Sequence, residues 1–201
     1  INRLNNEQMA VKILMNSLYG AMSNEFFRYY DDRISESITL SGQLAIRWAE
    51  RTINLYLNSI LDSNNIDYVI AIDTDSLYVR LGNLVNKVNP ADPIAFLDKV
   101  AEEKLEPLIG KAYEDLAEYM NAYEQKMVMK REVIANKGIW TGKKHYVLNV
   151  FNSEGVQYKK PKLKVQGIEA VRSSTPAACR TLIVDSINVI LDKDQKSIQE
   201  F

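Results

Sequence analysis

Asp73 and Asp75 flank a single threonine where one apolar run, Asp67 to Ile72, gives way to another, Ser76 to Leu81. Both runs are rich in Val, Ile and Tyr, so they read as two short strands joined across Asp73-Thr74-Asp75. Side chains two apart on extended backbone point to one side. Two carboxylates held together are electrostatically strained unless a cation is present. A hard divalent ion such as Mg²⁺ takes oxygen ligands, typically one or two carboxylates plus substrate phosphates, and suits such a pair. The same letters also make a plain Asp-rich turn.

A second constellation lies near the start of the chain. Lys12, Asn16 and Tyr19 are spaced i, i+4 and i+7, which on a helix confines them to an arc of about 60°. A cation, an amide and an aromatic hydroxyl then leave one face together. That set suits a triphosphate-bearing base, with charge for phosphate, an amide for hydrogen bonding and a ring for stacking. A polar helix face is also commonly just a solvated one.

The third constellation is a charge asymmetry. Between Lys126 and Arg172 eleven Lys and Arg stand against three acids, leaving +8, while the whole chain carries −1 and the remainder therefore −9. A basic segment on an acidic body is the footprint of a polyanion-facing surface. A solvated basic face is the plainer alternative. His145, the single histidine, has no second histidine with which to form a zinc site.

These residues need elements to place them. Val11, Leu14, Met15, Leu18 and Met22 repeat as one apolar helix face, predicting a helix over 4–22. A longer helix is expected from Ser35 to Leu61, then the two strands around Asp73 and Asp75. Another helical stretch is expected over 94–123, interrupted near Pro107. Strands are expected at Met127–Met129, Val133-Ile134, 146–151 and 162–171, with a turn at 152–155. Ser174-Thr175-Pro176 marks a last helix start, with proline at the first helical position. Helices followed by a sheet with helices packed on it give an α+β fold.

At 201 residues, 46% of them hydrophobic, the chain can bury a substantial core and shows no disorder-prone tract. Cys179 is the single cysteine, so no internal disulfide forms, and it is expected as a small core residue. No apolar stretch approaches the ~20 residues of a membrane span, and no membrane partner is expected. The first residue is Ile1 and the pattern is entered and left midway, which predicts an excised or incompletely read piece.

The string Lys12-Ile13-Leu14-Met15-Asn16-Ser17-Leu18-Tyr19-Gly20 resembles the K-x3-N-S-x-Y-G signature on the fingers helix of family B (alpha-like) DNA polymerases. Downstream, Ile72-Asp73-Thr74-Asp75-Ser76-Leu77-Tyr78-Val79 resembles the D-T-D-S hairpin of the same family, in the same order. Trp140-Thr141-Gly142-Lys143-Lys144-His145-Tyr146 resembles its K-K-R-Y strand, with His145 where arginine is usual. Lys164, Gly167, Ile168, Glu169 and Arg172 resemble its K-x-x-G-[IL]-[DE]-x-x-[RK] element. Phe27-Arg28-Tyr29-Tyr30-Asp31 and Pro161-Lys162-Leu163-Lys164 look closest to the T-even-type bacteriophage branch.

The resemblance implies a palm (an antiparallel sheet with flanking helices) plus part of a helical fingers element. Residues 1–32 are expected as the fingers helix and its return, 33–173 as the palm with the metal-binding hairpin and DNA-facing strands, and 174–201 as the start of a thumb-side helix. It implies nucleotidyl transfer from dNTP to a DNA primer with Mg²⁺, or Mn²⁺ as substitute. Asp75 is implied as metal ligand, Asp73 as its support, and Lys12, Asn16 and Tyr19 as nucleotide contacts. Lys143, Lys144, His145, Tyr146, Lys162, Lys164 and Arg172 are implied as contacts to primer–template DNA. Glu132, Thr74, Ser76 and Gly20 are further candidates: Glu132 as a third acid or a structural salt bridge, Gly20 for close approach of backbone and base pair. Ile72 stands where the family usually has glycine.

The family's D-x-x-S-L-Y-P-S segment, with its further metal-binding aspartate, is missing, as are the exonuclease motifs and the thumb. The chain is therefore expected to be a truncated fragment, or part of a split polymerase that works with an upstream segment or chain. The implied location is the cytoplasm, that of the host cell if the source is viral. The alternative is a DNA- or partner-binding palm without catalysis. A palm-like nucleotidyl cyclase also pairs carboxylates on a hairpin, but the fingers string and the +8 segment argue against it.

Overall fold

The structure, a computed structural model, describes residues 2–193. Two helices open the chain: α1 (Asn2–Met22) and α2 (Asp32–Leu61). α2 begins where the Asp31 carboxylate accepts the Arg33 N–H, which satisfies one of the free donors of the first turn. It ends at Asp62 in the left-handed region. The first helix differs from its expected packing. Val11, Leu14, Met15 and Leu18 lie on the surface, Leu14 at 71% exposure, and α1 becomes partly covered only at Ala21 and Met22. The helical period was legible, but a period gives no partner, and nothing among the described residues covers this face.

Ala45, Ala49, Ile53 and Leu57 recur every fourth residue of α2 and form a stripe with almost no exposure. They pack against Ile109, Tyr113 and Leu116 of α5 (Glu106–Tyr119) and against Tyr68 and Val69. Each fully buried Leu or Ile contributes roughly 2 kcal/mol. An exposed i,i+4 pair such as Arg3–Glu7 contributes about 0.5 kcal/mol. The α2–α5 seam therefore supports the hairpin that Val69 begins: β1 (Val69–Asp73) and β2 (Ser76–Val79), antiparallel, with Asp73 opposite Ser76.

Two short helices follow, α3 (Gly82–Val88) and α4 (Pro93–Val100), the latter capped by Asp92, which accepts from the N–H groups of Ile94 and Ala95. α4 passes into α5 through a π-helical turn over Ala101–Leu105. Pro107 lies just beyond; its ring has no N–H and crowds the carbonyl four residues back. A widened turn, in which Glu106 N–H reaches the Ala101 carbonyl, relieves the crowding without ending the helix. The expected interruption near Pro107 takes this form, and α5 stops at Tyr119, short of the expected residue 123.

The strand expected at Met127–Met129 is absent. Gln125 donates to the Met127 carbonyl and accepts from the Met127 N–H, and this local ring occupies the groups that strand pairing needs. Three long strands then form one antiparallel sheet in the order β3 (Val133–Gly142), β4 (His145–Ser153), β5 (Val156–Gln166). The strand expected over 162–171 thus starts earlier and stops at Gln166, because Gly167, at φ +71°, turns the backbone into a 3₁₀ turn at Glu169–Val171.

β4 is buried on both faces. Tyr146, Leu148 and Val150 face Tyr78 of the β1–β2 hairpin, whereas Val147 faces Ile187 and Leu191 of α6 (Ala177–Asp192). Pro176 is the residue before that helix, one position earlier than expected. Cys179 is exposed on α6, not a core residue, because the buried stripe of the helix runs through Ile187 and Leu191. The last residues of the expected 174–201 segment lie outside the described ones. Helices and antiparallel strands on one chain make the fold α+β, as expected.

Candidate active site

The aspartate hairpin turns within two residues. Thr74 adopts φ +52°, a left-handed backbone that is uncommon for a β-branched residue. The Asp75 N–H closes back on the Asp73 carbonyl at 2.6 Å. The Ser76 hydroxyl donates to that same carbonyl at 3.0 Å, and the Thr74 hydroxyl donates to the Asp73 carboxylate at 3.1 Å. Thr74 and Ser76 thus stiffen the turn.

The turn separates the two acids, contrary to simple strand alternation. Asp73 is half-buried and lines a hollow with Thr141, Lys143, Lys144 and Tyr146. Asp75 is exposed and borders a larger cleft of about 1160 Å³, where Glu132 and Lys164 also stand. Each side has a cation: Lys144 Nζ lies 3.4 Å from Asp73, and Lys164 Nζ lies 2.6 Å from Glu132. Lys144 therefore offsets the charge of Asp73 and Lys164 that of Glu132.

Asp73 and Asp75 are hard oxygen donors of the kind Mg²⁺ takes. Among the described residues no three Asp, Glu, His or Cys side chains converge on one point. The set suits such an ion in kind and provides two carboxylates, with Glu132 committed to Lys164.

Glu132 is placed by its neighbour. The Arg131 guanidinium bonds Asp98 of α4 and Asn152 of β4, and the Arg131 backbone N–H donates to the Glu106 carboxylate of α5 at 2.9 Å. The Glu132 carbonyl in turn accepts from the Glu154 N–H at 2.7 Å.

Tyr78 was not singled out from sequence, yet it joins the hairpin to the large sheet. Its ring lies 5.3 Å from those of both Trp140 and Tyr146. Burial, followed by the hydrogen bond with Tyr146, pushes its hydroxyl up to about 12. The signal was available: alternation along β2 puts Ser76 and Tyr78 on one face.

The basic residues gather at one end of the three-stranded sheet. Lys143 and Lys144 form the β3–β4 turn, with Lys144 at φ +60°, and His145 and Tyr146 begin β4. Tyr146 pairs with Gln166 and Leu148 with Lys164, which brings β5 alongside. Lys162 lies over the Tyr158 ring at 4.1 Å. Arg172 is held by Glu169 at 3.5 Å, one turn beyond the sheet. Lys12, Asn16, Tyr19 and Gly20 are all exposed on α1. No hydrogen bond or ion pair among the described residues joins their side chains to the hairpin, so the structure does not bring the second constellation, Lys12, Asn16 and Tyr19, to the aspartates.

The family model described as DNA polymerase family B matches residues 2–201. The DNA-directed DNA polymerase of Enterobacteria phage T4 is 41% identical over 98% of this chain and 24% of its own length. That of Escherichia phage RB69 is 42% identical over 94% of this chain and 22% of its own. The DNA polymerase alpha catalytic subunit of Trypanosoma brucei brucei is 26% identical over 82% of the chain. The chain spans about a quarter of the length of the two phage relatives. Matched by the family model from residue 2 onward, with two fifths of its residues shared with both phage enzymes, this chain belongs to DNA polymerase family B and is T-even-like.

Proposed function

We propose that this chain is catalytic-core material of a DNA-directed DNA polymerase, carrying the metal-bearing hairpin and the grip on primer–template DNA. The observation that carries this is the D-T-D turn, stiffened by Thr74 and Ser76, beside the basic end of a three-stranded sheet in a family B chain. In this reading residues 33–173 are the palm, 1–32 the fingers helix and its return, and 174–201 the start of the thumb side.

Asp75 holds Mg²⁺, or Mn²⁺ in its place, and Asp73 supports it. Bound there, the ions neutralise phosphate charge and make the primer 3′-hydroxyl a better nucleophile. Lys12 meets the triphosphate of the incoming dNTP, Tyr19 lies against its base and sugar, Asn16 supports the pocket, and Gly20 allows close approach. Lys143, Lys144, His145, Tyr146, Lys162, Lys164 and Arg172 follow the DNA backbone, where charge and reach matter more than exact chemistry. Two carboxylates do not complete a two-metal cage, so an upstream segment or chain with another aspartate completes it. The enzyme acts in the cytoplasm of the host cell. Among the described residues, no helix is long and apolar enough to cross a membrane.

Primer extension tests this. The chain is assayed alone and mixed with an upstream polymerase part bearing the D-x-x-S-L-Y-P-S segment, with Asp75→Ala beside it. Extension in the mixture, reduced at least about a thousandfold by Asp75→Ala, is expected for loss of a metal-binding carboxylate. No extension from a folded, DNA-bound mixture establishes the second reading, an inert DNA-binding palm. The lysines paired with Asp73 and Glu132 favour that second reading.

A further inference from the structure

His145 is the only histidine in the chain, and it follows directly on Lys143 and Lys144 at the tip of the sheet. Its Nδ1 lies 2.6 Å from the Lys143 carbonyl. A carbonyl only accepts, so that bond keeps the proton on Nδ1. The Cδ2 edge of the ring packs on Gly167, where a Cβ would come within 3.2 Å of it. With one nitrogen engaged and one edge covered, Nε2 is the polar atom that remains to meet a ligand.

In the neutral ring Nε2 is an acceptor and faces a phosphate oxygen, another acceptor, with no bond to make. On protonation it becomes a charged donor. We propose that His145 is a proton-gated phosphate contact, silent toward the DNA backbone when neutral and adding one charge-assisted bond when protonated. This rests on the reading of the basic strands as DNA-facing.

The charged residues that precede His145 on its own turn are Lys143 and Lys144, and Lys144 in turn reaches Asp73 of the β1–β2 hairpin. Gln166 and Gly167, at the end of β5, carry no charge. A phosphate brought close favours the protonated ring. DNA and proton are then linked: each tightens the other's binding.

A single histidine makes this measurable at one atom. Proton NMR of the imidazole is recorded across about pH 5 to 8, with and without a short primer–template duplex. Duplex affinity is measured over the same range for the chain, His145→Gln and His145→Arg. The expected result is a higher imidazole titration midpoint with DNA and about fivefold to tenfold tighter binding at the acid end. The salt slope should also steepen there by about one. His145→Gln should bind weakly and without this pH response. His145→Arg should bind at all pH values as the chain does in acid.

An unmoved midpoint, or the same pH response in His145→Gln, overturns the proposal and leaves the DNA-facing reading intact. No duplex binding at any pH by the folded chain overturns both.

Discussion

Tyr78 lies half-buried against Trp140 and Tyr146, and its hydroxyl is held up to about 12 from the ordinary 10.0, by burial first and then by the bond to Tyr146. A hydroxyl whose folded pKa exceeds the unfolded one contributes stability that is complete below about 10 and is lost as pH rises through about 12. Chemical denaturation at rising alkaline pH should show stability falling across that window, and Tyr78→Phe should flatten the fall. Asp73 and Asp75 could be found as a pair from their letters alone. That they would border different hollows could not, since it depends on one left-handed residue, Thr74, which lets Asp75 leave the strand direction. Glu132 is expected as a third metal-site acid or a structural salt bridge and Lys164 as a phosphate contact, and the structure gives Glu132 the salt bridge. Their mutual ion pair spans 32 positions and has no local sequence signal.

Elements with a clear apolar pattern were found to within two or three residues at each end: α2, the two strands of the hairpin and β4. Where local side-chain chemistry competes with pairing, as Gln125 does at Met127, the β-rich letters misled. The junction of β5 with the following turn is the most constrained point of the sheet. A Cβ on Gly167 would run into the Lys144 carbonyl, and the backbone there has φ +71°. Gly167→Ala should cost on the order of 2 kcal/mol in denaturant melts. Because that carbonyl belongs to the Lys143–His145 turn, the substitution should weaken duplex binding as well. A stability loss with unchanged DNA affinity would separate the turn from the DNA-facing surface.

For the whole molecule, the proposed DNA contact draws on the +8 segment and not on the chain's net −1. With about five phosphates neutralised, log K should fall against log salt with a slope of roughly −4 to −5. A flat response in a salt titration would remove the DNA-facing role. Lys144 and Lys164 enter that sum only after leaving Asp73 and Glu132, so a slope nearer −3 without divalent ions is consistent with both staying paired. The α+β layout was readable because it depends on element types. The bare face of α1 was not, because covering a helix requires a partner, and its own residues name none.

The two tryptophans belong to different cores. Trp48 leans on Tyr119 beside the α2–α5 seam, with ring centres 5.8 Å apart, while Trp140 stands edge-on to Tyr78 where the aspartate hairpin meets the large sheet. The chain thus carries two built-in optical labels, one on the helical support and one on the hairpin's seating. With Trp48 replaced by phenylalanine, the remaining indole emission would report the seating of the aspartate turn alone, without an added dye.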